Sequence, residues 1–243
     1  MKRYYYDLHT HSCLSPCADN DNTPNNLVGM AYLSGINVLA LTDHNTAKNC
    51  PAFFEAAKKY GIVPIAGMEV TTSEDIHVVC LFKHLNSALN FDAYLQTRRV
   101  FIKNREEIFG EQLILDGEDN IIGKEEHLLS NATTISLEEL PNIISQYDGI
   151  CYPAHIDRDA NGIIAILGTI PSTPHFPCVE IRDADKIQEY STRYGLSDRR
   201  FIVSSDSHYL IDIQEKQNFF ELEYEGTSED TVRSLIFELL NRI

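Results

Sequence analysis

The sequence of 243 residues has no tryptophan, only three methionines and few basic side chains. Its 20 lysines and arginines stand against 36 aspartates and glutamates, which gives a formal net charge of −16 at pH 7. A chain this acidic lacks the basic face of a protein that coats nucleic acid, so we expect no extended nucleic-acid surface. No apolar run has the length of a membrane-spanning helix, so we expect no membrane contact either.

The amino terminus lacks the cationic stretch and apolar segment of an export signal. Six cysteines are scattered along the chain, and two of them, Cys80 and Cys151, lie in apolar strand-like runs. We therefore predict a cytoplasmic protein with mostly free thiols, in which Cys80 and Cys151 are small buried hydrophobic residues. The oligomeric state cannot be inferred from these features.

Short apolar runs alternate with helical patterns along most of the chain, which is typical of an α/β fold built from βα units. Strands are predicted at residues 3–8, 36–41, 62–66, 68–71, 76–82, 150–154, 178–181, 201–204 and 219–222. Helices are predicted at residues 24–33, 51–60, 136–147, 186–194 and 228–240. We expect a single domain over residues 1–243 with the architecture of a closed or distorted β/α barrel.

The polar region from residue 86 to about residue 135 interrupts this alternation. It contains the pair Arg98-Arg99 and the charged run Lys103-Asn104-Arg105-Glu106-Glu107, but no cluster of metal-ligand residue types. We predict a long helix over residues 87–109 followed by an irregular segment, which together form a small, mainly helical insert. The insert either caps the pocket or is a solvated excursion without a role.

Histidines and carboxylates occur at or just after the ends of several apolar runs. They are His9, His11, Asp43, His44, Glu69, His77, His155, Asp206 and His208. In β/α barrels the carboxyl ends of the strands meet at one face, where the chemistry takes place. Imidazole and carboxylate groups together suit Zn²⁺, Mn²⁺ or Fe²⁺. The pattern therefore predicts a metal site at this face.

Two of these clusters have the spacing of side chains on one face of a strand. Successive side chains of a strand alternate between its faces, so His9 and His11 point to the same side. Asp206 and His208 have the same spacing. Each pair can therefore hold one cation.

The remaining candidates are weaker when each is taken alone. Asp43 and His44 are neighbours and cannot share a face, so we expect His44 to be a ligand. Asp43 would then orient a ligand histidine or act as a general base. Glu69 could bridge two cations, although a lone glutamate at a strand end is more often solvated. A lone histidine in an apolar run, such as His77, is usually a satisfied core residue.

The blocks occur in a fixed order, namely His9-Thr10-His11-Ser12, Thr42-Asp43-His44-Asn45, Gly67-Met68-Glu69, His77, Ala154-His155 and Ser205-Asp206-Ser207-His208. In the order and the residues of these blocks, the chain closely resembles the PHP (polymerase and histidinol phosphatase) domain family over nearly its whole length. The resemblance implies a distorted (β/α)7 TIM-like barrel, two or three divalent metal ions (zinc, manganese or iron) and phosphoesterase activity. It implies metal-ligand roles for His9, His11, His44, Glu69, His77, His155, Asp206 and His208, with Glu69 as the bridging ligand.

The sequence departs from the family pattern at one position. Family members usually place an aspartate or histidine a few residues after the first histidine pair, where this sequence has Ser15-Pro16-Cys17-Ala18-Asp19. We expect Cys17 to be the ninth ligand, with Asp19 or Asp21 as the alternatives. A thiolate ligand would favour zinc or iron over manganese.

Two arginines are candidates for binding substrate. The segment His155-Ile156-Asp157-Arg158 resembles the Ala-His-Pro-x-Arg segment of family members related to nucleoside bisphosphate phosphatases, in which the arginine binds phosphate. Ile156 replaces the proline, but Arg158 keeps its spacing. Arg182, after the strand at residues 178–181, is the second candidate. The guanidinium group of arginine matches the geometry of phosphate.

We therefore predict an enzyme, a metal-dependent hydrolase of phosphoric ester bonds. Its expected substrate is a small phosphorylated molecule, such as a nucleotide, with a phosphomonoester favoured. Asp43 or Asp206 would accept the proton of the attacking water, and Arg158 would neutralise charge on the phosphate. One alternative is a metal-dependent amidohydrolase, which would need no arginine for phosphate, and the other is a non-catalytic metal-binding module.

Overall fold

The structure, a computed structural model, describes residues 1–224, 226 and 228–242. Its helices and strands in chain order are β1 (Lys2–Asp7), α1 (Pro24–Leu33), β2 (Val38–Leu41), α2 (Cys50–Tyr60), β3 (Val63–Thr71), β4 (His77–Phe82), α3 (Leu85–Gln96), α4 (Glu106–Phe109), β5 (Leu113–Leu115), β6 (Ile121–Lys124), α5 (Leu140–Ser145), β7 (Gly149–Pro153), α6 (Ile163–Leu167), β8 (Cys178–Ile181), α7 (Ile187–Tyr194), β9 (Arg200–Val203), β10 (Phe219–Leu222) and α8 (Glu229–Asn241). This is a mixed α/β fold, as predicted.

A curled sheet of six strands in the order β10-β1-β2-β3-β4-β7 forms the centre of the fold. The pairs β1–β2 and β2–β3 are parallel, whereas β4 runs antiparallel to both β3 and β7. Strands β8 and β9 form a separate parallel pair, and a bridge between Thr10 and Ser207 links the segments that follow β1 and β9. The barrel-like curl agrees with the prediction, but this pairing does not establish a (β/α)7 count.

The strands of the sheet are apolar on both faces. In β2, Leu39 and Leu41 pack in the core layer that contains the residues of α1 and α2, while Val38 and Ala40 belong to a second layer. That second layer includes Ile236 of α8. A strand covered on both sides gives the near-continuous apolar run seen in the sequence.

Local signals mark several helix ends. The side chain of Thr23 accepts a hydrogen bond from the backbone N–H of Asn26 and so caps α1. Helix α2 ends at Tyr60 and is followed by Gly61, whose φ of 67° is readily adopted by glycine. Ser136 and Glu139 form the reciprocal hydrogen bonds of a capping box, although α5 begins only at Leu140.

The prediction of one long helix over residues 87–109 is wrong. Helix α3 ends at Gln96, and α4 is a separate helix of four residues. The chain between them is extended because it pairs with a later segment, through bridges from Arg99 to Thr133 and from Lys103 to His127. Strands β5 and β6 then form a hairpin, so the insert is not mainly helical. That residues 1–243 form a single domain stays a prediction.

Two further expectations concern the cysteines and the membrane. All six cysteines, each of them in the described part of the chain, are free, and Cys80 and Cys151 are buried as predicted. Among the described residues, no helix combines the length and apolar character needed to cross a membrane.

Candidate metal centre

The buried carboxylate of Glu69 lies at the centre of the predicted ligand set. Five imidazoles surround it, at nitrogen–oxygen distances of 3.4 Å for His9, 3.5 Å for His11, 3.1 Å for His44, 2.9 Å for His77 and 3.1 Å for His155. Burial by itself would raise the pKa of Glu69, but the imidazoles, with His77 and His9 foremost, hold this pKa well below its ordinary value. Glu69 is therefore ionised and faces several candidate ligands at once.

A second buried carboxylate, Asp206, joins this cluster from the end of β9. Its Oδ1 atom lies 3.4 Å from Nε2 of His9 and 3.4 Å from Nε2 of His11. Its Oδ2 atom accepts a hydrogen bond of 2.6 Å from Nη1 of Arg158. Burial opposes ionisation, but the neighbouring His9 and His11 lower the pKa of Asp206 far below its ordinary value. His208 is more distant, with Nδ1 3.7 Å from Oδ1 of Asp206.

Three groups of ligand-type atoms are close enough together to hold a cation. They are His9/His11/Glu69/Asp206, His44/Glu69/His77 and His11/His44/His208. Several of these atoms are buried without any hydrogen-bond partner in the structure, among them Oδ1 of Asp206 and Nδ1 of both His44 and His77. Buried polar atoms are normally satisfied, so orphaned ligand atoms that face one another fit divalent metal ions.

The topology explains how residues far apart in sequence meet. His9 and His11 follow β1, His44 follows β2, His155 follows β7, and Asp206 and His208 follow β9. His77 is different, because it is the first residue of β4. Since β4 is antiparallel to β3, its start lies at the same edge as Glu69, with His77 opposite Thr71. His77 therefore lies at the edge of the sheet where the prediction placed it, but at the start of its strand and not at the end.

The backbone is unusual at the positions that deliver these side chains. His155 and Asp206 have φ values of 27° and 52°, which non-glycine residues seldom adopt. Such strain persists where the surrounding structure enforces it, and it concentrates at functional sites. Gly67, two residues before Glu69, has a steric role: a Cβ atom there would lie 2.8 Å from the carbonyl oxygen of Cys80.

Asp43 lies behind the ligands rather than among them. Its Oδ1 atom accepts hydrogen bonds from the backbone N–H of Ser12 and the hydroxyl of Ser15, both at 2.7 Å. The Ser15 oxygen in turn lies 3.0 Å from Nδ1 of His11. The His11 Nδ1–H can thus donate to Ser15, which leaves Nε2 as the free ligand atom. Asp43 is therefore linked to His11 through Ser15, and its roles in orienting that histidine and as a general base stay predictions.

Glu180 is part of the site but was missed by the sequence reasoning. Its Oε1 atom lies 2.8 Å from Nδ1 of His9 and accepts a hydrogen bond of 3.1 Å from the backbone N–H of His155. Its side chain is completely buried. One acidic residue within the otherwise apolar run Cys178–Ile181 was the available signal. The contact orients the His9 ring so that its Nε2 atom faces Glu69 and Asp206.

We expect Glu180→Ala to weaken the binding of divalent metal ions by about 10- to 100-fold, because carboxylates that orient ligand histidines have effects of this size. Glu180→Gln keeps an acceptor for His9 and should be milder. Competition of the protein with a chromophoric chelator measures the affinity. Glu189→Ala, which removes an exposed carboxylate on α7, is the control. An unchanged affinity in a folded Glu180→Ala protein would argue against this positioning role.

Cys17 approaches the cluster, unlike the two aspartates considered as alternatives. Its Sγ atom lies 3.2 Å from Nε2 of His44. Asp19 and Asp21 are exposed, and Oδ1 of Asp19 accepts a hydrogen bond from the backbone N–H of Asp21. Neither aspartate, nor Cys17 itself, belongs to one of the three ligand groups found among the described residues. A ligand role for Cys17 stays a prediction.

The two candidate arginines line a common cavity beside the cluster. This cavity of about 580 Å³ is bounded by the loops after β7 and β8 and by the residues before β10. Arg158, whose side chain is 39% exposed, lies between the cavity and Asp206. Arg182 and Lys186 line the cavity as well. The structure thus places Arg158 at the cluster and Arg182 farther out.

Comparison with known proteins identifies the class of this chain. The family model described as PHP domain matches residues 7–192. The chain therefore belongs to the PHP domain family. The resemblance inferred from the sequence is confirmed.

Named relatives and solved structures add detail. A 5'-3' exoribonuclease of Haemophilus influenzae is 37% identical over 118 residues, which cover 44% of this chain and 39% of that protein. The lesion-specific endonuclease PfuEndoQ of Pyrococcus furiosus has a similar fold, with a TM-score of 0.62 at 17% identity over 98% of this chain and 56% of that one. A complex of endonuclease Q with a 27-mer duplex gives a TM-score of 0.52 at 16% identity, covering 86% of this chain and 50% of that one.

These comparisons contradict the prediction of a small phosphorylated substrate and of no extended nucleic-acid surface. The exoribonuclease and the endonucleases named above act on nucleic acid, and one of these structures holds a 27-mer duplex substrate. The expectation of no extended nucleic-acid surface failed because it was based on the total charge of −16. A total charge does not describe how charges are distributed, and bound cations reverse the sign of a site locally.

Proposed function

We propose that this protein is a metal-dependent nuclease that hydrolyses phosphodiester bonds in nucleic acid. The observation that carries the proposal is the buried Glu69 carboxylate, which is shared by five imidazoles beside the Asp206–Arg158 ion pair. The matched exoribonuclease and the fold shared with endonuclease Q support a nucleic-acid substrate.

The first ligand group, His9/His11/Glu69/Asp206, and the second, His44/Glu69/His77, would each hold a divalent cation, with Glu69 common to both. His155, whose Nε2 lies 3.1 Å from Oε1 of Glu69, would complete one of them. Zinc, manganese and iron all suit this donor set. When bound, such cations supply Lewis-acid stabilisation of the phosphate oxygens and activation of water.

Arg158 is suited to bind the scissile phosphate. One of its nitrogens donates to Asp206, which fixes the guanidinium at the edge of the cluster. Its other donors can then bind a non-bridging phosphate oxygen and stabilise charge that develops there. Because its two oxygens face His9, His11 and Arg158, we assign Asp206 to binding the metal and orienting Arg158. Arg182 would contact a phosphate farther along the cavity.

Hydrolysis of bis(p-nitrophenyl) phosphate and of labelled oligonucleotides by the metal-loaded protein tests this function. We expect diester hydrolysis that a chelator removes and that added Mn²⁺, Zn²⁺ or Fe²⁺ restores. We expect Arg158→Ala to lower this activity by about 100-fold, the size typical of a lost charge-stabilising donor. Arg193→Ala, at an exposed ion pair on α7, is the control. Hydrolysis confined to amides and lactones, or no hydrolysis by the metal-loaded protein, would contradict the proposal.

A further inference from the structure

The segment Arg98–Arg105, here called the basic strip, differs in charge from the rest of the chain. It contains four basic residues and no acidic one, in a chain whose net charge is −16. Between the basic residues lie Val100, Phe101 and Ile102. We infer that the basic strip binds single-stranded nucleic acid and leads it to the metal centre. This inference rests on the nuclease function proposed above and names the form of its substrate.

The apolar centre of the basic strip is exposed. Val100, Phe101 and Ile102 are 46%, 56% and 48% exposed. Single exposed apolar residues are common, but three in a row indicate a binding surface. The Phe101 ring lies 4.7 Å from the ring of His127. An exposed aromatic ring beside basic side chains is the arrangement on which the bases of a single strand stack.

Two of the basic side chains hold the strip, and the other two face solvent. Arg98 donates hydrogen bonds to the hydroxyl and the carbonyl oxygen of Thr134. Arg99 is buried, lies 3.7 Å from Glu125 and donates a hydrogen bond to the carbonyl oxygen of His127. Lys103 is exposed and has no ion-pair partner among the described residues. Arg105 forms an exposed pair with Glu107 at 3.3 Å. Exposed pairs of this kind are weak, so Arg105 can exchange its partner for a phosphate group.

Hydrogen bonds connect the basic strip to the metal centre through one intervening segment, residues 127–134. Asn45, which follows His44, donates to the carbonyl oxygens of Leu129 and Asn131 at 2.6 Å and 3.0 Å. The backbone N–H of Thr133 donates to the carbonyl oxygen of Thr71 at the end of β3. The strip is thus fixed on the side of the cluster formed by His44 and β3. Arg158 lies at Asp206, which follows β9.

This arrangement favours a single strand over a duplex. Stacking on Phe101 requires a base whose face is free, and bases in a duplex are already stacked on each other. Within the part of the chain that the structure describes, Lys103 is the one exposed basic residue of the strip without an ion-pair partner. The strip can therefore make few contacts with the phosphates that form the outer surface of a duplex. A strand that extends from Arg158 across the cluster to Phe101 would be longer than a single nucleotide.

Two variants test the strip, each with a matched control elsewhere on the surface. Phe101→Ala is compared with Phe219→Ala, which removes another exposed phenylalanine. Lys103→Glu is compared with Lys58→Glu, at an exposed lysine of α2 that makes the same change in net charge. Fluorescence anisotropy measures the binding of a labelled single-stranded oligonucleotide of about 15 nucleotides. Hydrolysis of bis(p-nitrophenyl) phosphate is measured in parallel.

We expect Phe101→Ala to weaken binding of the oligonucleotide by about tenfold, the lower range for loss of one stacked base, and Phe101→Trp to restore it. Lys103→Glu should weaken binding and reduce its salt dependence by about one phosphate contact. Both controls should bind as the wild type does. All four proteins should hydrolyse the small diester equally, because none of these residues contacts the metal ligands.

The two proposals fail in different ways. Unchanged oligonucleotide binding and hydrolysis in both strip variants, with the small diester still cleaved, would overturn the basic strip and leave the nuclease function intact. The same variants losing affinity for anionic vesicles instead of oligonucleotides would also overturn it. Strip-dependent binding of oligonucleotides by a metal-loaded protein that cleaves no diester would support the strip and refute the nuclease function.

Discussion

Replacement of Glu69 by glutamine abolishes tight binding of divalent metal ions and lowers phosphodiester hydrolysis by more than about 100-fold. Loss of a residue that only orients a ligand lowers activity by about 10- to 100-fold. Glu69 is the carboxylate that five imidazoles approach within 3.5 Å. Glutamine has nearly the same shape but no charge, and its NH2 group cannot be a metal ligand. The substitution thus removes the ligand that joins two candidate cation groups.

Metal content per chain and hydrolysis of bis(p-nitrophenyl) phosphate measure the effect of Glu69→Gln. Circular dichroism shows whether the variant is folded. The control is Glu118→Gln, since the Glu118 side chain is 76% exposed and pairs with Lys59. A Glu69→Gln protein with the full metal content and activity of the wild type would show that Glu69 does not bridge the site.

Replacement of Asp206 by asparagine lowers kcat for the same diester by at least about 100-fold and leaves the protein folded. The backbone at Asp206 has a φ of 52°, a conformation that asparagine adopts more readily than most residues. The fold should therefore tolerate the change. The site should not, because the negative charge between His9 and His11 is lost and an amide now faces Arg158.

Thermal melting and steady-state kinetics at saturating metal separate these two effects of Asp206→Asn. Asp212→Asn, an exposed aspartate in the same loop region, should match the wild type in both measurements. If Asp206→Asn retained full turnover, the assignment of this carboxylate to the catalytic site would be refuted. If it failed to fold, Asp206→Glu would test the charge with the carboxylate retained.

Much of the site could be predicted because its residues follow apolar strands. The i, i+2 spacing of His9 and His11, and of Asp206 and His208, is visible in the sequence and is matched by their positions in the cluster. Glu180 was missed because a glutamate within a strand gives no sign of its partner until the distant His9 is placed beside it. Asp43 was recognised, but its action through Ser15 depends on the path of a loop.

The insert could not be predicted for a different physical reason. The run from Ser87 to Phe109 has enough helical character for one long helix, but residues 98–105 pair with residues 126–134 instead. Pairing between segments so far apart leaves no periodic signal in a single sequence. The positive charges at Arg98–Arg105 are visible in the sequence, but the prediction was based on the acidic total instead.

The most direct test of the central claim, that side chains from residue 9 to residue 208 share metal ions at Glu69, is the metal content of the purified protein. Elemental analysis after loading with Mn²⁺, Zn²⁺ or Fe²⁺ and removal of free metal gives the number of ions per chain. We predict more than one tightly bound ion per chain in the wild type and fewer in Glu69→Gln. A folded wild-type protein that retains none of these ions would contradict the account.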